Sequence, residues 1–307
     1  MCQYKFSVFT PVFNRGGLLS RVYDSLQKQT FKEFEWIIVN DGSTDDSDTV
    51  IKKIIENADF PITYIYLEHN SGKHIAQNRA VDVAKGEMFV PLDSDDYIIA
   101  EALEIFWNAW LSIPENERWD YSGVGVHCMD QNGNMIGTPY PQDRMVSNDL
   151  EMTFKCKIKG EKWGMIRTDI MREFKNIEVK GHFLSESTVW FRIAKKYHKK
   201  LFLQQCLRIY EVHEDSVTKQ IKSCDYNIES KIVSECIYLN EFYSWYLRYQ
   251  VKSAIRKPLA LTYACIVNDK SILFGNDALI NKVNPLLCKV LIFIASAYKI
   301  IWVMKNK

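Results

Sequence analysis

Hydrophobic and polar positions along the first hundred residues switch between two periods. Phe6 to Phe13 is a short apolar run of strand length, and Leu18 to Lys28 spaces its apolar residues as one face of a helix. Glu35 to Asn40 reads as a second strand, and Asp46 to Asn57 as a helix opened by an Asp/Ser cluster. Ile62 to Glu68, Ile75 to Lys85 and Met88 to Leu92 repeat strand, helix, strand. Strands alternating with single helices predict βαβ units, hence an α/β fold with a mainly parallel central sheet flanked by helices.

Each predicted strand ends in polar residues. Asn14 follows the first, Asp41-Gly42-Ser43 the second, Asn70-Ser71-Gly72-Lys73 the third, and Asp93, Asp95 and Asp96 the fourth. Parallel strands put these loops on one rim, the place where open α/β sheets hold ligands. Carboxylates packed at a strand end repel one another unless water or a hard cation such as Mg²⁺ or Mn²⁺ relieves them. A solvated acidic turn is the plain alternative for the acids taken alone. The rim as a whole predicts a pocket for nucleotide phosphates and a metal.

Composition narrows the setting. A chain of 307 residues, 47% hydrophobic and 25% charged, is ordinary for a globular protein with a substantial core. Its eight cysteines include no CxxC pair, which argues against a zinc site or a disulfide framework and for a reducing cytoplasm. Met1 to Asn14 lacks the features of a secretory signal.

The net charge of +1 hides an asymmetry: Tyr246 to Lys307 holds ten Lys and Arg against two acids, leaving twenty-nine against thirty-six elsewhere. An acidic body with basic charge confined to an apolar tail speaks against nucleic-acid binding. Leu286 to Met304 is apolar apart from Lys289, Ser296 and Lys299, with Lys282, Lys305 and Lys307 on its flanks. That pattern fits a core helix with one wet edge, or a helix lying in the headgroup region of an anionic leaflet.

The series TPVFN (Thr10 to Asn14), VNDGSTDDS (Val39 to Ser47), HNSGKHIAQNRAVDVAKGE (His69 to Glu87) and PLDSDD (Pro91 to Asp96) resembles family 2 glycosyltransferases of the GT-A fold in order and spacing. The resemblance continues more weakly to about residue 220. It implies a GT-A, Rossmann-like domain over 1–220, with a nucleotide-sugar half at 1–100 and an acceptor half at 101–220. Residues 221–307 then form a helical, basic, membrane-associating extension.

Carried over residue by residue, the resemblance makes Thr10, Pro11 and Asn14 the loop beside the base of a nucleoside diphosphate sugar. Asp41 becomes the acid that meets the base, where a carboxylate can accept the uracil N3 hydrogen. Gly72, Lys73 and Asn78 fall on the nucleotide side, with Gln77 where the family has Arg, so that Lys73 or Arg79 would have to supply the cation. Asp93 resembles the ribose contact, Ser94 follows it in the donor motif, Asp95 resembles the metal ligand, and Asp96 is a supporting acid.

SESTVWFRIAKK (Ser185 to Lys196) resembles the family's acidic pair at a helix start, with Glu186 on the catalytic Asp and Ser185 on the preceding Glu. RIYEVHEDSVT (Arg208 to Thr218) makes His213 the residue completing the metal or diphosphate site. Trp163 and Arg167 are candidates for an acceptor platform and a phosphate partner, and burial of Trp163 in the core competes with that role.

What the resemblance implies is an inverting transfer of a sugar, with UDP the expected nucleotide and Mg²⁺ or Mn²⁺ the expected metal. The acceptor would be a hydroxyl of a lipid-linked saccharide or polysaccharide at the inner face of the cell membrane. A non-catalytic nucleotide-sugar-binding adaptor is the alternative favoured by Ser185. A sugar nucleotidyltransferase would need a basic triphosphate loop, and no such loop is present near the N-terminus.

Overall fold

The computed structural model describes residues 2–178, 185–210 and 228–305, with side chains as far as 297. The chain divides into two compact units, Met1–Glu214 and Asp215–Lys307.

In the first unit β1 (Tyr4–Val12), β2 (Phe34–Asp41), β3 (Ile62–Leu67) and β4 (Gly86–Pro91) alternate with α1 (Leu19–Gln27), α2 (Ser47–Asn57) and α3 (Lys73–Val83). These strands are parallel in the order β3-β2-β1-β4, with Val8 opposite both Trp36 and Val90. All seven predicted elements are present, with ends shifted by no more than two residues. Residues 6 to 10 of β1 are fully buried, as expected where helices cover both faces of a sheet and a strand reads as a continuous apolar run.

Alternation sorts the side chains. Phe6, Val8, Trp36, Ile38, Met88 and Val90 pack with Leu19, Val22 and Leu26 of α1 and with Leu103 and Phe106 of α4 (Ala102–Leu111). On the other face Phe9, Ile37, Val39 and Phe89 meet Ala76 and Ala80 of α3. They also meet Ile170 of α5 (Thr168–Glu173) and Val189 and Ile193 of α6 (Ser187–Lys196). Phe9 and Phe89 stack with ring centroids 5.7 Å apart, and truncating either would cost about 3–5 kcal/mol.

The second half of the sheet adds antiparallel pairs to the expected parallel ones. β8 (Lys162–Arg167) runs antiparallel to β4 and to β6 (Tyr121–Met129), and β9 (Lys199–Ile209) runs parallel to β6. β5 (Tyr97–Ile98) and β7 (Met145–Ser147) each pair antiparallel with β9. The sheet is therefore mixed, parallel on the side of the first hundred residues.

The second unit holds a helical hairpin, α7 (Ile228–Tyr249) and α8 (Val251–Val267), followed by α9 (Leu279–Lys282) and α10 (Leu286–Lys305). Pro258 lies inside α8 and has no N–H for the carbonyl of Ala254. The Tyr243 hydroxyl donates to that carbonyl instead, at 3.2 Å, so the proline is tolerated where two helices pack. α10 packs against α8; it buries Cys288, Ile292 and Ser296 and exposes Leu286, Leu287, Val290, Phe293 and Ile294. Among the described residues no helix is long and apolar enough to cross a membrane.

Candidate active site

The parallel strands all open onto one rim, and its loops are tied to each other by short polar side chains. The Asn14 side-chain carbonyl accepts from the backbone N–H of Thr44 at 2.8 Å, joining the loops after β1 and β2. Asp41 joins the loops after β2 and β3, accepting from the N–H of Ser71 at 2.7 Å and of Gly72 at 2.8 Å. The approach requires Gly42, whose φ is +71°, because a Cβ there would lie 2.6 Å from the carbonyl carbon of His69. Gly72, at φ +97°, turns the chain directly into α3 and sets Lys73 on its first turn.

The fourth rim loop carries the acids. A hydrogen bond from the N–H of Leu92 to the carbonyl of Phe9, at 2.8 Å, continues the β4 ladder by one residue. The chain then turns, with the N–H of Asp96 bonded to the carbonyl of Asp93. Carboxylate oxygens of Asp93, Asp95 and Asp96 come within 4.8 Å of one another.

Two cations meet this cluster. Arg208, brought back by β9 opposite Ile98 of β5, is buried; it lies 3.2 Å from Asp96 and 3.9 Å from Asp93, and donates to Glu161 at 3.2 Å. Lys73 Nζ stands between Asp93 Oδ1 at 2.5 Å and Glu186 Oε1 at 2.6 Å. Glu186 precedes α6 by one residue, and its carbonyl accepts the N–H of Val189. Asp93, predicted as a donor contact, and Glu186, predicted as the base, thus meet on one ammonium, with Asp95 beside Asp93 in the acid cluster.

The electrostatics of the cluster are unequal. Burial alone would raise Asp93, but Lys73 and Arg208 outweigh it and hold the carboxyl below the ordinary range. Asp96 is 1% exposed, and burial pushes its carboxyl up to about 8, against Arg208 and with Asp93 and Asp95. Neither of its oxygens has a hydrogen-bond partner. Burial would lower Lys73, yet Asp93 and Glu186 raise it.

Among the described residues Asp93, Asp96, Glu161 and Glu186 pair with Lys73 or Arg208, and Asp95 lies in the same acid cluster. An all-oxygen set with buried, unbonded carboxylate oxygens fits a hard divalent cation, and Asp93, Asp95 and Asp96 are the residues that would hold it.

Other predicted residues stand elsewhere. Thr10 is buried and its hydroxyl accepts from the Trp36 indole at 2.9 Å, so it serves the core of the strand. Pro11 is half-buried one residue before the end of β1, and Ser94 is buried within the acid turn.

Asn78 is buried and spends its amide on the segment after α5. Its amide nitrogen donates to the carbonyl of Asn176 and to Glu178, and its carbonyl accepts the N–H of Asn176. Arg79 pairs with the same Glu178 at 2.8 Å, which leaves Lys73 as the nearer answer to the Gln77 replacement.

Trp163 is corrected from acceptor platform to core: it packs on Phe106, and its indole donates to the carbonyl of Pro91 at 2.5 Å. Arg167 is corrected as well, because antiparallel pairing sets it opposite Met88, toward the start of β4, where it binds Asp169 and the carbonyl of Trp119. His213 lies outside the described residues.

Arg208 was not foreseen as a site residue. The signal available was a lone arginine between Leu207 and Ile209 in an apolar strand, a setting in which charge is rarely buried unless paired. Gln77, one helical turn behind Lys73, is also buried, with neither amide atom hydrogen-bonded.

A mixed α/β sheet with a nucleotide-type rim, an acid cluster and an opposed glutamate defines a glycosyltransferase of the GT-A-like class. S. aureus TarS 1-349, solved with UDP-GlcNAc, has this fold at a TM-score of 0.60 and 20% identity, covering 95% of this chain and 87% of that one. The mannosyltransferase PcManGT from Pyrobaculum calidifontis, solved with GDP-Man and Mn²⁺, matches at a TM-score of 0.53 and 15% identity over 97% and 81% of the two chains.

Residues 7–116 match the profile of glycosyl transferase family 2, and the chain belongs to that family. Among curated relatives, a Campylobacter jejuni GalNAc(5)-diNAcBac-PP-undecaprenol β-1,3-glucosyltransferase is 24% identical over 90% of this chain and 91% of its own. The putative teichuronic acid biosynthesis glycosyltransferase TuaG of Bacillus subtilis is 27% identical over 69% and 81%.

Proposed function

We propose that this protein moves one sugar from a nucleoside diphosphate donor, UDP-linked by preference, to a hydroxyl of a lipid-linked saccharide or polysaccharide in surface glycan synthesis. The observation that carries the reading is that Lys73 joins Glu186 to Asp93, one member of the three-acid cluster. Relatives whose names include an undecaprenol-linked glucosyltransferase and a teichuronic acid enzyme support the acceptor class. TarS with UDP-GlcNAc supports the donor.

In the reaction the acceptor oxygen attacks the anomeric carbon from the face opposite the diphosphate. The bond from that carbon to the diphosphate oxygen breaks, its electron pair leaves with the nucleotide, and configuration inverts. Glu186 takes the acceptor proton on its carboxylate. Ser185 offers no second base, since its hydroxyl is hydrogen-bonded to that of Ser187 at 2.6 Å. Mg²⁺ or Mn²⁺ on Asp95, with Asp93 and Asp96 beside it, would neutralise the departing phosphates. Asp93 also fixes the ribose, and Asp41 steadies the loop against which the base lies while keeping a lone pair on each oxygen for it.

The exposed apolar face of α10 and the basic surplus of the tail support a peripheral position on an anionic leaflet at the inner face of the cell membrane. Phe293→Glu is expected to weaken binding to phosphatidylglycerol vesicles about tenfold, read by vesicle sedimentation. Unchanged sedimentation would remove the membrane from the account.

Glu186→Gln tests the catalytic reading. Sugar transfer from the donor should fall by about 10²- to 10⁴-fold while nucleotide binding persists. A variant that keeps wild-type turnover would exclude Glu186 as the base.

A further inference from the structure

Lys73 holds the two groups that the proposed reaction needs free. Its ammonium pairs with Asp93 at 2.5 Å and with Glu186 at 2.6 Å, and its side chain remains 29% exposed. A carboxylate oxygen that accepts from an ammonium is occupied, and it must be released before it can take a proton from an acceptor hydroxyl. The nearby cations have other commitments: Arg79 pairs with Glu178, and Arg208 is buried between Asp96 and Glu161. Gln77 stands where the family carries an arginine and supplies no charge.

Lys73 also opens α3, whose first turn faces the rim with its N–H groups and the positive end of the helix dipole. A diphosphate arriving there brings negative charge to an ammonium that sits on a flexible stem and is shared between Asp93 and Glu186.

Resting on the proposed transfer reaction, we propose that Lys73 is a shared cation, bound to Glu186 and Asp93 before the donor enters and passed to the donor's diphosphate when it binds. Donor binding thereby releases Glu186. The base is masked in the empty enzyme and exposed only when a sugar is in place, which couples donor occupancy to the ability to activate the acceptor hydroxyl. Lys73 acts on the reaction as both a donor contact and a positioning residue for the base.

The test is a double-mutant cycle on nucleotide affinity, by calorimetry with Mn²⁺ present, using whichever of UDP and GDP the wild type binds. Lys73→Met should weaken diphosphate binding by about ten- to hundredfold through loss of a charge-assisted contact, with no comparable loss of affinity for the free nucleoside. Glu186→Gln removes the competitor for the ammonium and should tighten diphosphate binding about three- to fivefold.

In the double variant the tightening should vanish, and Lys73→Arg should restore part of the affinity. Glu186→Gln binding no tighter than wild type, or tighter to the same extent in the Lys73→Met background, would overturn the exchange while leaving the transferase reading standing. A folded wild type that binds neither nucleotide would end both.

Discussion

Two buried carboxylates in the same sheet are built in opposite ways. Glu35 and Asp96 are each 1% exposed. Glu35 accepts from the Ser7 hydroxyl and from the N–H of Lys85, both at 2.6 Å, and Ser7 in turn accepts the N–H of Gly86 at 2.8 Å. This network closes the start of β4 against β1 and leaves those polar groups paired. Asp96 follows the other end of β4 and has no hydrogen bond to either oxygen, with Arg208 as its nearest charge partner. A buried acid that is fully satisfied belongs to the scaffold. One left unsatisfied beside two more acids costs stability, and its oxygens are open to a hard cation.

The contrast is sharpest in variants. Asp95→Asn in the acid cluster should lower sugar transfer by about 10²- to 10³-fold with the fold intact by circular dichroism. Glu35→Ala should do the reverse, destabilising by about 3 kcal/mol in urea unfolding because it strands the Ser7 hydroxyl and the N–H of Lys85. Any surviving folded fraction should turn over normally. If Asp95→Asn keeps full activity, or Glu35→Ala keeps full stability, the two acids are not the different things described.

A smaller effect concerns pH. The carboxyl of Asp96 rises from an ordinary value of 3.8 to about 8 in the fold, so the folded chain holds that proton more tightly than the unfolded chain. Its share of stability is full below pH 3.8 and is lost as pH climbs toward 8. Metal-free protein should therefore melt at lower temperature at pH 8 than at pH 6. Asp96→Asn should flatten that decline, and equal slopes in the two proteins would assign it to another group.

The two halves of the sheet differ in how legible they were. The first hundred residues were readable because short apolar strands alternate with single helices, so the change of period marks the boundaries. The polar strand ends then had to share a rim. The half after residue 100 reverses direction at β8, where buried Trp163 and Met165 alternate with half-buried Lys162 and Gly164; the alternation in KWGMIR groups Trp163 with Met165 but does not by itself say that their shared face is the core. Asn78 was hidden for a similar reason: α3 is buried nearly all round, so its pattern does not separate the face toward the donor from the face toward Asn176. Asp93, Asp95 and Glu186 were legible as residue types in motifs. The meeting of Asp93 and Glu186 on Lys73, and the burial of Arg208 beside Asp96, depends on β9 and α6 returning to the rim.

The most direct test is calorimetric titration of UDP and GDP into the wild type and Asp95→Asn, each with and without Mn²⁺. The account predicts selective UDP binding that requires the metal and is lost in the variant. Binding of equal strength without metal, or in Asp95→Asn, would contradict the claim that the unsatisfied acids of the rim exist to hold a cation against a nucleoside diphosphate.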